Sequence, residues 1–370
     1  MSDRMDRRAF LRKGGVAGLG IAGLSASLPT LLSACGSSGT TATSASTTKA
    51  GGPPAAGSLS AIVLQLSWIK NAEFSGEYIA DTNGYYSAAG LKGVSLLSGG
   101  PSVAQDSIVA AGKAFVGISS PDITAPAVLK GAPLVVVAAQ YQKNPFAIMS
   151  LASAPLKTPQ DMIGKKIGVQ STNLSVWNSF LKANAIDSSK VTVFPAQFDP
   201  TPLAQKQCDG WFSFITNEPI ELGAQGVETT TFLLNDFHYP LVSESYMVNK
   251  SALSDAGQRA QLKAFLTAEI RGWHDSLKDP SAGPTLSVNK YGANLGNKVD
   301  EQTKESMAQN ALILDSRTMT DGILTITPAQ IDENLSTLAI SGAKMDTSFF
   351  NTSIIDEVYA ENPSLKASPV

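Results

Sequence analysis

The chain of 370 residues has little cysteine and histidine, and what it lacks excludes several classes of protein. Its two cysteines, Cys35 and Cys208, and its two histidines do not suffice for a convincing zinc site. A net charge of −3, with no basic stripe, argues against nucleic acid as a partner. No phosphate loop or catalytic constellation stands out, so neither a metal nor a cofactor is expected. After the first 35 residues, no apolar run reaches the roughly 20 residues of a membrane-spanning helix.

The first 35 residues have the pattern of an export signal. The pair Arg7-Arg8 begins a basic segment, a Gly/Ala/Leu stretch follows, and Leu32-Ser33-Ala34-Cys35 ends it with small residues that a peptidase can reach. The thiol of Cys35 can accept two acyl chains, which anchor stably because each buried methylene contributes roughly 0.8 kcal/mol. We therefore expect residues 1–35 to be a twin-arginine lipoprotein signal. Its glycines disfavour the alternative, an uncleaved membrane helix.

This signal predicts a protein held by lipid on Cys35 at the extracytoplasmic face of the cell membrane. If Cys35 carries lipid, Cys208 is alone and no internal disulfide is possible. Residues 36–58 consist almost entirely of Gly, Ser, Thr, Ala and Pro, which predicts a flexible tether.

From Leu59 onward, short apolar runs alternate with helical patterns, which predicts βαβ units and largely parallel sheets. Two such α/β regions followed by helices indicate two lobes that the chain crosses between twice, near Asn144–Leu151 and Tyr239–Met247. A ligand should then bind between the lobes, at the carboxyl ends of the strands. The predicted limits are residues 59–150 with 245–370 for the first lobe and 151–244 for the second.

Loops at the predicted strand ends provide the candidate ligand-binding residues. Trp68 offers a flat π face to a planar ligand, although a core tryptophan would give the same pattern. Glycines after the second strand let backbone N–H groups approach a ligand, which any tight turn would also explain. Hydroxyl and carboxyl groups at the other strand ends can contact a ligand or cap a helix. The candidates are Trp68, Asn71, Gly99, Gly100, Ser119, Ser120, Asp122, Tyr141, Asn144, Ser171 and Thr172.

Asn217 and Glu218 complete the candidates. They follow the apolar run Trp211–Ile215 and begin a predicted helix. A carboxylate beside a helix N-terminus can be structural. It can also accept N–H bonds from an aminated ring, and bonds to charged groups contribute roughly 1.5–3 kcal/mol.

Several of these segments, in this order and spacing, resemble one group of type 2 periplasmic binding proteins. The group includes binders of thiamine-precursor aminopyrimidines, of riboflavin, of sulfonates and of nitrate. The resemblance implies a two-lobed α/β fold, each lobe a mostly parallel sheet flanked by helices, with the ligand cleft between them. It also implies a solute-binding component of an ABC importer, which delivers a small molecule to a permease with its ATPase; we expect a monomer. The segments are the Trp68 loop, Gly84–Leu91, Gly117–Pro121, Tyr141–Phe146 and Asn217–Pro219.

The resemblance assigns roles to two candidates. In the aminopyrimidine binders an aromatic residue of the first loop stacks on the ring and a carboxylate near the later turn binds the amino group, which here implies Trp68 and Glu218. The relatives often carry Asn-Pro and a His after the tryptophan, whereas this chain has Ile69–Phe74. Riboflavin, or an anion such as sulfonate or nitrate, is therefore an alternative ligand. Arginine is scarce after the signal, which disfavours an anion.

An extracytoplasmic enzyme is the remote alternative. The same fold occurs in a single-turnover pyrimidine synthase, which uses a cofactor-linked lysine and a donor histidine. Those positions fall near Ser119 and Ile123 here, and neither residue can perform that chemistry. The function predicted from the sequence is therefore binding of a small planar heterocycle, with an aminopyrimidine as the first choice.

Overall fold

A computed structural model describes residues 55–367, so the predicted signal, Cys35 and most of the predicted tether lie outside the described residues. Within this region two five-stranded sheets carry helices on their faces. The strands are β1 Ile62–Gln65, β2 Val94–Leu97, β3 Val116–Ser119, β4 Leu134–Tyr141, β5 Phe146–Leu151, β6 Lys166–Gln170, β7 Thr192–Ala196, β8 Gly210–Phe214, β9 Thr229–Leu233 and β10 Ser243–Asn249.

The α-helices connect and cover these strands, and the longest of them follows the last strand. They are α1 Ser75–Thr82, α2 Tyr85–Ala88, α3 Gln105–Ala110, α4 Pro121–Leu129, α5 Leu174–Ala183, α6 Thr201–Ala204, α7 Glu218–Ala224, α8 Ser251–Ser254, α9 Ala256–Lys278, α10 Ala282–Leu286, α11 Val299–Ile313, α12 Thr318–Asp321, α13 Pro328–Ser341 and α14 Ser353–Glu361. A 3₁₀ turn, Ala72–Phe74, precedes α1.

The two sheets have the same plan. Their strand orders are β2-β1-β3-β10-β4 and β7-β6-β8-β5-β9. In each sheet one strand runs against its neighbours: β10 is antiparallel to β3 and β4, and β5 is antiparallel to β8 and β9. Strands β1 to β3 pair in parallel, as do β6 to β8. The expectation of two mostly parallel sheets is therefore confirmed.

The antiparallel strands β5 and β10 are those that follow the two crossings of the chain. The sequence placed Asn144–Leu151 in an extended crossing, whereas Phe146–Leu151 forms β5 and pairs within the second sheet. The first crossing is thus confined to residues 142–145. The lobe limits given above stay a prediction.

The apolar run of β4 shows why these strands form. All eight of its residues are buried. Strands covered on both faces have continuous apolar sequences, because neither face meets water. The C-terminal part supplies some of this cover, since the backbone of Val136 in β4 bridges to Phe350 and α13 packs against both α4 and α5. The C-terminal segment therefore contacts helices associated with both sheets.

Two glycines let α1 and α9 pack closely. A Cβ atom on Gly272 would lie 2.2 Å from the carbonyl oxygen of Gly76, and a Cβ atom on Gly76 would lie 2.4 Å from the indole of Trp273. Trp273 is fully buried at this crossing. The crossing fixes α1, and with it the 3₁₀ turn that precedes α1.

Replacing Gly272 with alanine should therefore lower the free energy of unfolding by about 1–3 kcal/mol, because overpacking forces backbone shifts. Gly223 in α7 is the control, since a Cβ atom there meets nothing within 4 Å. Gly223→Ala should be neutral or slightly stabilising, because alanine favours a helix over glycine. Urea denaturation measures both; equal stabilities of the two variants would contradict this account of the packing.

A pair of carboxyl groups lies inside the first lobe without a basic partner. Glu77 and Glu269 are both fully buried. The hydroxyl of Tyr246 donates to Glu77 at 2.8 Å and lies 3.3 Å from Glu269, to which Tyr86 also donates. Burial raises the pKa of Glu77 to about 7 and raises that of Glu269 as well.

These raised pKa values make stability depend on pH. The folded protein holds protons on this pair that the unfolded chain releases near pH 4.5, so the stabilisation is present at acid pH and is lost as the pH rises through the folded pKa near 7. Glu77→Gln should reduce the fall in unfolding free energy between pH 5 and pH 8, by on the order of 2–3 kcal/mol. Urea denaturation at several pH values measures this, and an unchanged slope in the variant would contradict it.

Candidate functional site

A narrow cavity lies where strand ends of the two sheets face each other. Its volume is about 500 Å³, counting the open solvent at its mouth. The lining residues are Ser67, Trp68, Glu73, Gln105, Ser119, Ser120, Ile123, Phe146, Gln170, Thr172, Asn173, Phe212, Ser213, Phe214, Asn217, Glu218 and Glu244.

Aromatic rings from both lobes line this cavity. Trp68, just after β1, is half-buried. The second sheet contributes Phe146, Phe212 and Phe214. The ring centroid of Phe146 lies 4.9 Å from that of Phe212 and 4.9 Å from that of Phe214. Ring faces and edges of this kind suit stacking on a planar ligand.

Glu218 is the first residue of α7, where Asn217 ends the preceding turn and Pro219 fits the first turn of a helix. The carboxyl group is 3% exposed, and its Oε2 accepts a hydrogen bond from the N–H of Phe214 at 2.9 Å. Burial raises the pKa of Glu218 to about 8, against the opposing effect of backbone N–H groups. At neutral pH this carboxyl group is therefore largely protonated and can both donate and accept a hydrogen bond.

A second acidic element comes from the first lobe. The hydroxyl of Ser67 lies 3.0 Å from Glu73 and 2.7 Å from Glu244, so one hydroxyl group faces two carboxyl groups. Both acids are almost fully buried. Glu244 has a φ of 45°, a left-handed conformation that is uncommon for a residue other than glycine. Burial and mutual repulsion raise the pKa of Glu73, and burial raises that of Glu244 to about 8.

Contacts between loops of the two lobes narrow the cleft. Ser171 and Thr172 follow β6, while Pro101 follows β2 of the other sheet. The carbonyl oxygen of Pro101 accepts bonds from the Ser171 hydroxyl at 2.8 Å and from the Thr172 N–H at 3.3 Å. The cavity is thus bridged at this edge by direct hydrogen bonds.

The structure brings six of the residues predicted from the sequence to one cavity. The aromatic and the acid to which the resemblance gives roles, Trp68 and Glu218, are both among them. The six are Trp68, Ser119, Ser120, Thr172, Asn217 and Glu218.

The loop glycines and Asn71 lie beside the cavity. The N–H of Gly99 donates to the carbonyl oxygen of Trp68 at 2.8 Å. A Cβ atom on Gly99 would lie only 2.5 Å from the carbonyl oxygen of Leu66, so a glycine is needed to support the tryptophan loop. Gly100 has a φ of 152° at the turn that follows. Asn71 donates to Glu305 at 2.8 Å and lines a second cavity, of about 1060 Å³, that adjoins the first at Trp68 and Asn217.

The other four candidates do not line the first cavity. The Tyr141 hydroxyl donates to Gln309 at 2.7 Å, and the side-chain oxygen of Asn144 accepts from the N–H of Phe146 at 2.8 Å. Asp122 is buried in the first turn of α4, and burial raises its pKa to about 6. Ser171 forms the contact with Pro101 already described. Tyr141 and Asn144 therefore form hydrogen bonds within the protein and do not line the cavity.

Sequence reasoning missed most of the cavity's acids and aromatic residues. Glu73 and Glu244 have no spacing that marks them, but a charged residue at the start of the buried strand β10, at Ser243-Glu244-Ser245, is a signal that could have been used. The phenylalanines could not be told from core residues. The missed residues are Ser67, Glu73, Gln105, Ile123, Phe146, Gln170, Asn173, Phe212, Ser213, Phe214 and Glu244.

Two kinds of feature are absent from residues 55–367. This region contains no group of three or more His, Cys, Asp or Glu side chains that could hold a metal ion. None of its helices combines the length and the hydropathy needed to cross a membrane. Cys208 is a free thiol with a pKa raised to about 11 by burial, so it is unreactive at neutral pH.

Comparison with known proteins places this chain in a family. The family model described as "NMT1/THI5 like" matches residues 71–282. The chain is 28% identical over 265 residues to the riboflavin-binding protein RibY of Chloroflexus aurantiacus, covering 70% of this chain and 74% of that protein. It is 24% identical over 257 residues to the formylaminopyrimidine-binding protein of Halalkalibacterium halodurans, covering 68% and 76%.

Solved structures agree on the fold. The nitrate-binding protein NrtA of Synechocystis superposes with a TM-score of 0.60 at 14% identity, covering 85% of this chain and 93% of NrtA. The aliphatic sulphonate binding protein SsuA of Escherichia coli gives 0.55 at 15% identity, covering 76% and 86%. The fold is thus that of two-lobed periplasmic binding proteins, and because the family model matches more than half of its length, the chain belongs to the NMT1/THI5-like family.

Proposed function

We propose that this chain is the extracytoplasmic receptor of an ABC importer and that it binds a small planar nitrogen heterocycle, with an aminopyrimidine as the best candidate. The observation that carries the proposal is that Trp68 of one lobe and Glu218 of the other line the same narrow cavity. A ring stacked on the indole can present its amino group and ring nitrogen to the carboxyl group. The relative that binds formylaminopyrimidine supports this ligand class.

The polarity of the cavity matches such a ring. The aromatic side chains cover an apolar face, while Glu218, largely protonated at neutral pH, offers an acceptor and a donor side by side. An aminopyrimidine presents the complementary pair, an N–H donor beside a ring nitrogen acceptor. A few well-placed polar groups in an apolar pocket are what fixes the orientation of small ligands.

An anionic ligand is the less favoured alternative. Sulfonate and nitrate bind best to cations or strong N–H donors, and no Lys, Arg or His is among the residues that line the cavity. Three carboxyl groups line it instead. We therefore rank sulfonate and nitrate below a nitrogen heterocycle.

Riboflavin is the second candidate, favoured by the 28% identity with RibY. Its flat ring system could stack on Trp68, and the adjoining second cavity could accept the polar chain of a flavin.

Localisation and partners follow from the same proposal. Lipid on Cys35 would hold the receptor at the outer face of the membrane, and the residues before the first strand would act as the tether. A permease with its ATPase would receive the ligand from a monomeric receptor. Enzymatic activity is not part of the proposal: Ser119 and Ile123, at the two positions that carry a synthase's reactive side chains, line the cavity without a group that could do that chemistry.

Trp68→Ala and Glu218→Ala should each weaken binding of 4-amino-2-methylpyrimidine by at least about tenfold, because each removes one of the two proposed contacts with the ring. Titration calorimetry at pH 7 measures the change. Glu221→Ala is the matched control, since Glu221 lies three residues on in α7 and does not line the first cavity. Unchanged affinity in both cavity variants would rule out these assignments.

A ligand panel separates the candidates. Thermal unfolding is followed with 4-amino-2-methylpyrimidine, riboflavin, an alkanesulfonate and nitrate. A ligand at 100 times its dissociation constant stabilises by roughly 2.7 kcal/mol, which raises the midpoint by several degrees. The aminopyrimidine should give the shift, and a shift with nitrate or the sulfonate alone would overturn the proposed ligand class.

A further inference from the structure

The ionisable side chains that line the first cavity are all acids. Glu73, Glu218 and Glu244 face it, and no basic residue is among its lining side chains. Glu305 is a further acid near Glu218 and Glu73, and burial raises its pKa as well. Buried carboxylates without a cation are costly, so the site must hold protons or receive a positive charge from elsewhere.

The acidic side chains are most concentrated at Glu73 and Glu244. The two carboxyl groups share the hydroxyl of Ser67 and are 3% and 2% exposed. They come from different elements, the 3₁₀ turn before α1 and the start of β10. The titratable groups around them are Glu305 of α11, Glu77 and Tyr78 of α1 and Tyr141 of β4, all of which are neutral or negative. The protein thus supplies no counter-charge to this pair.

A separate observation indicates that a ligand completes the site. Ser120 lines the cavity and is 2% exposed, and its hydroxyl oxygen forms no hydrogen bond of good geometry, although the Asp122 carboxyl group lies near enough to interact with it. A buried hydroxyl without a partner costs free energy that a polar ligand group would recover. Ser120 comes from the end of β3, next to β10, so it adds a third element of the first lobe to the same wall.

We propose that the ligand is bound as a cation, a planar amidine-type base that carries a proton on a ring nitrogen and places its positive charge against Glu73 and Glu244. This inference rests on the proposed function and narrows its ligand class to weakly basic rings. The proton comes from the carboxyl pair or from solvent: an N–H bond forms on the ring and an O–H bond breaks. Charge-assisted hydrogen bonds of this kind are roughly twice as strong as neutral ones.

The alternative is a purely structural pair that shares a proton inside the first lobe and ignores the ligand. The two readings differ in the ligand's charge. A neutral isostere, with an oxo group in place of the amino group, has the same shape but no basic ring nitrogen. If the pair is purely structural, base and isostere should bind with equal affinity, and replacing either acid should weaken both equally. If the pair binds a cation, the base should bind more tightly than the isostere.

Their pH dependences differ as well. Burial raises the pKa of Glu244 to about 8 and raises that of Glu73 as well, so the pair keeps at least one proton at neutral pH. Below the base's own pKa both the ring and the pair are protonated, so binding must release a proton and affinity falls toward tenfold per pH unit. Above about pH 8 binding must take up a proton, and affinity falls again. The fall in affinity toward acid pH is the acid limb of the profile, and the neutral isostere should not show it.

The test uses 4-amino-2-methylpyrimidine and its neutral isostere 2-methylpyrimidin-4-one, titrated into the intact protein by calorimetry from pH 5 to pH 9. The wild type should bind the base at least tenfold more tightly at pH 7, with an affinity maximum between the base's pKa and about pH 8. In Glu73→Gln and in Glu244→Gln this preference should fall below threefold and the acid limb should flatten. Glu269→Gln, a buried acid of the same lobe outside the cavity, should keep both.

The outcomes separate the two proposals. If neither probe binds the wild-type protein, the aminopyrimidine assignment of the proposed function fails. If both bind equally well, or if both glutamine variants keep the preference and the acid limb, the receptor stands and the cation inference is overturned. The unfolding midpoints of the variants are measured as a control for folding. If one glutamine variant does not fold, the outcome is decided by the other variant together with the wild-type comparison of base and isostere.

Discussion

Carboxyl groups buried around a cavity that contains no basic side chain are the constraint on which this molecule's proposed chemistry depends. Glu73 and Glu244 on one side and Glu218 from the other lobe lose much of their hydration, and burial favours their protonated forms. A site of this kind repels anions and has protons to share. It therefore suits a ligand that brings hydrogen-bond donors and a positive charge.

The topology explains how distant parts of the sequence reach this site. Parallel strands bring their carboxyl ends to one edge of each sheet, so the loops after β1, β3, β6 and β8 converge on the cleft. Strand β10 runs in the opposite direction, and its first residues therefore lie at the same edge. Glu244 is consequently a cavity residue on the segment by which the chain returns from the second sheet.

Much of this arrangement could be predicted from the sequence. The apolar run of β4 and the alternation of strands and helices gave the fold class, and the rule that sites lie at strand ends led to Trp68 and Glu218. Tyr141 and Asn144 were expected to face the cleft, but the Tyr141 hydroxyl donates to Gln309 and the side-chain oxygen of Asn144 accepts from the N–H of Phe146. Gln309 becomes a neighbour of Tyr141 only in the folded chain.

The acid pair could not be predicted for a related reason. Glu73 and Glu244 are 171 positions apart, and their shared hydroxyl, Ser67, pairs with both only once β10 has joined the first sheet. The phenylalanines could not be predicted either, since Phe212 and Phe214 lie in an apolar strand and look like core residues in the sequence. The carboxyl end of β8 reaches the cleft only through its pairing with β5 and β6.

The protonation state of a bound ring can be observed directly. Nitrogen NMR of the protein loaded with ring-labelled ¹⁵N 4-amino-2-methylpyrimidine at pH 8, where the free base is neutral, reports whether a ring nitrogen carries hydrogen. The account predicts a protonated ring nitrogen in the bound ligand, with a one-bond coupling to its proton. A bound ring whose nitrogens all keep the shifts of the neutral base would contradict it.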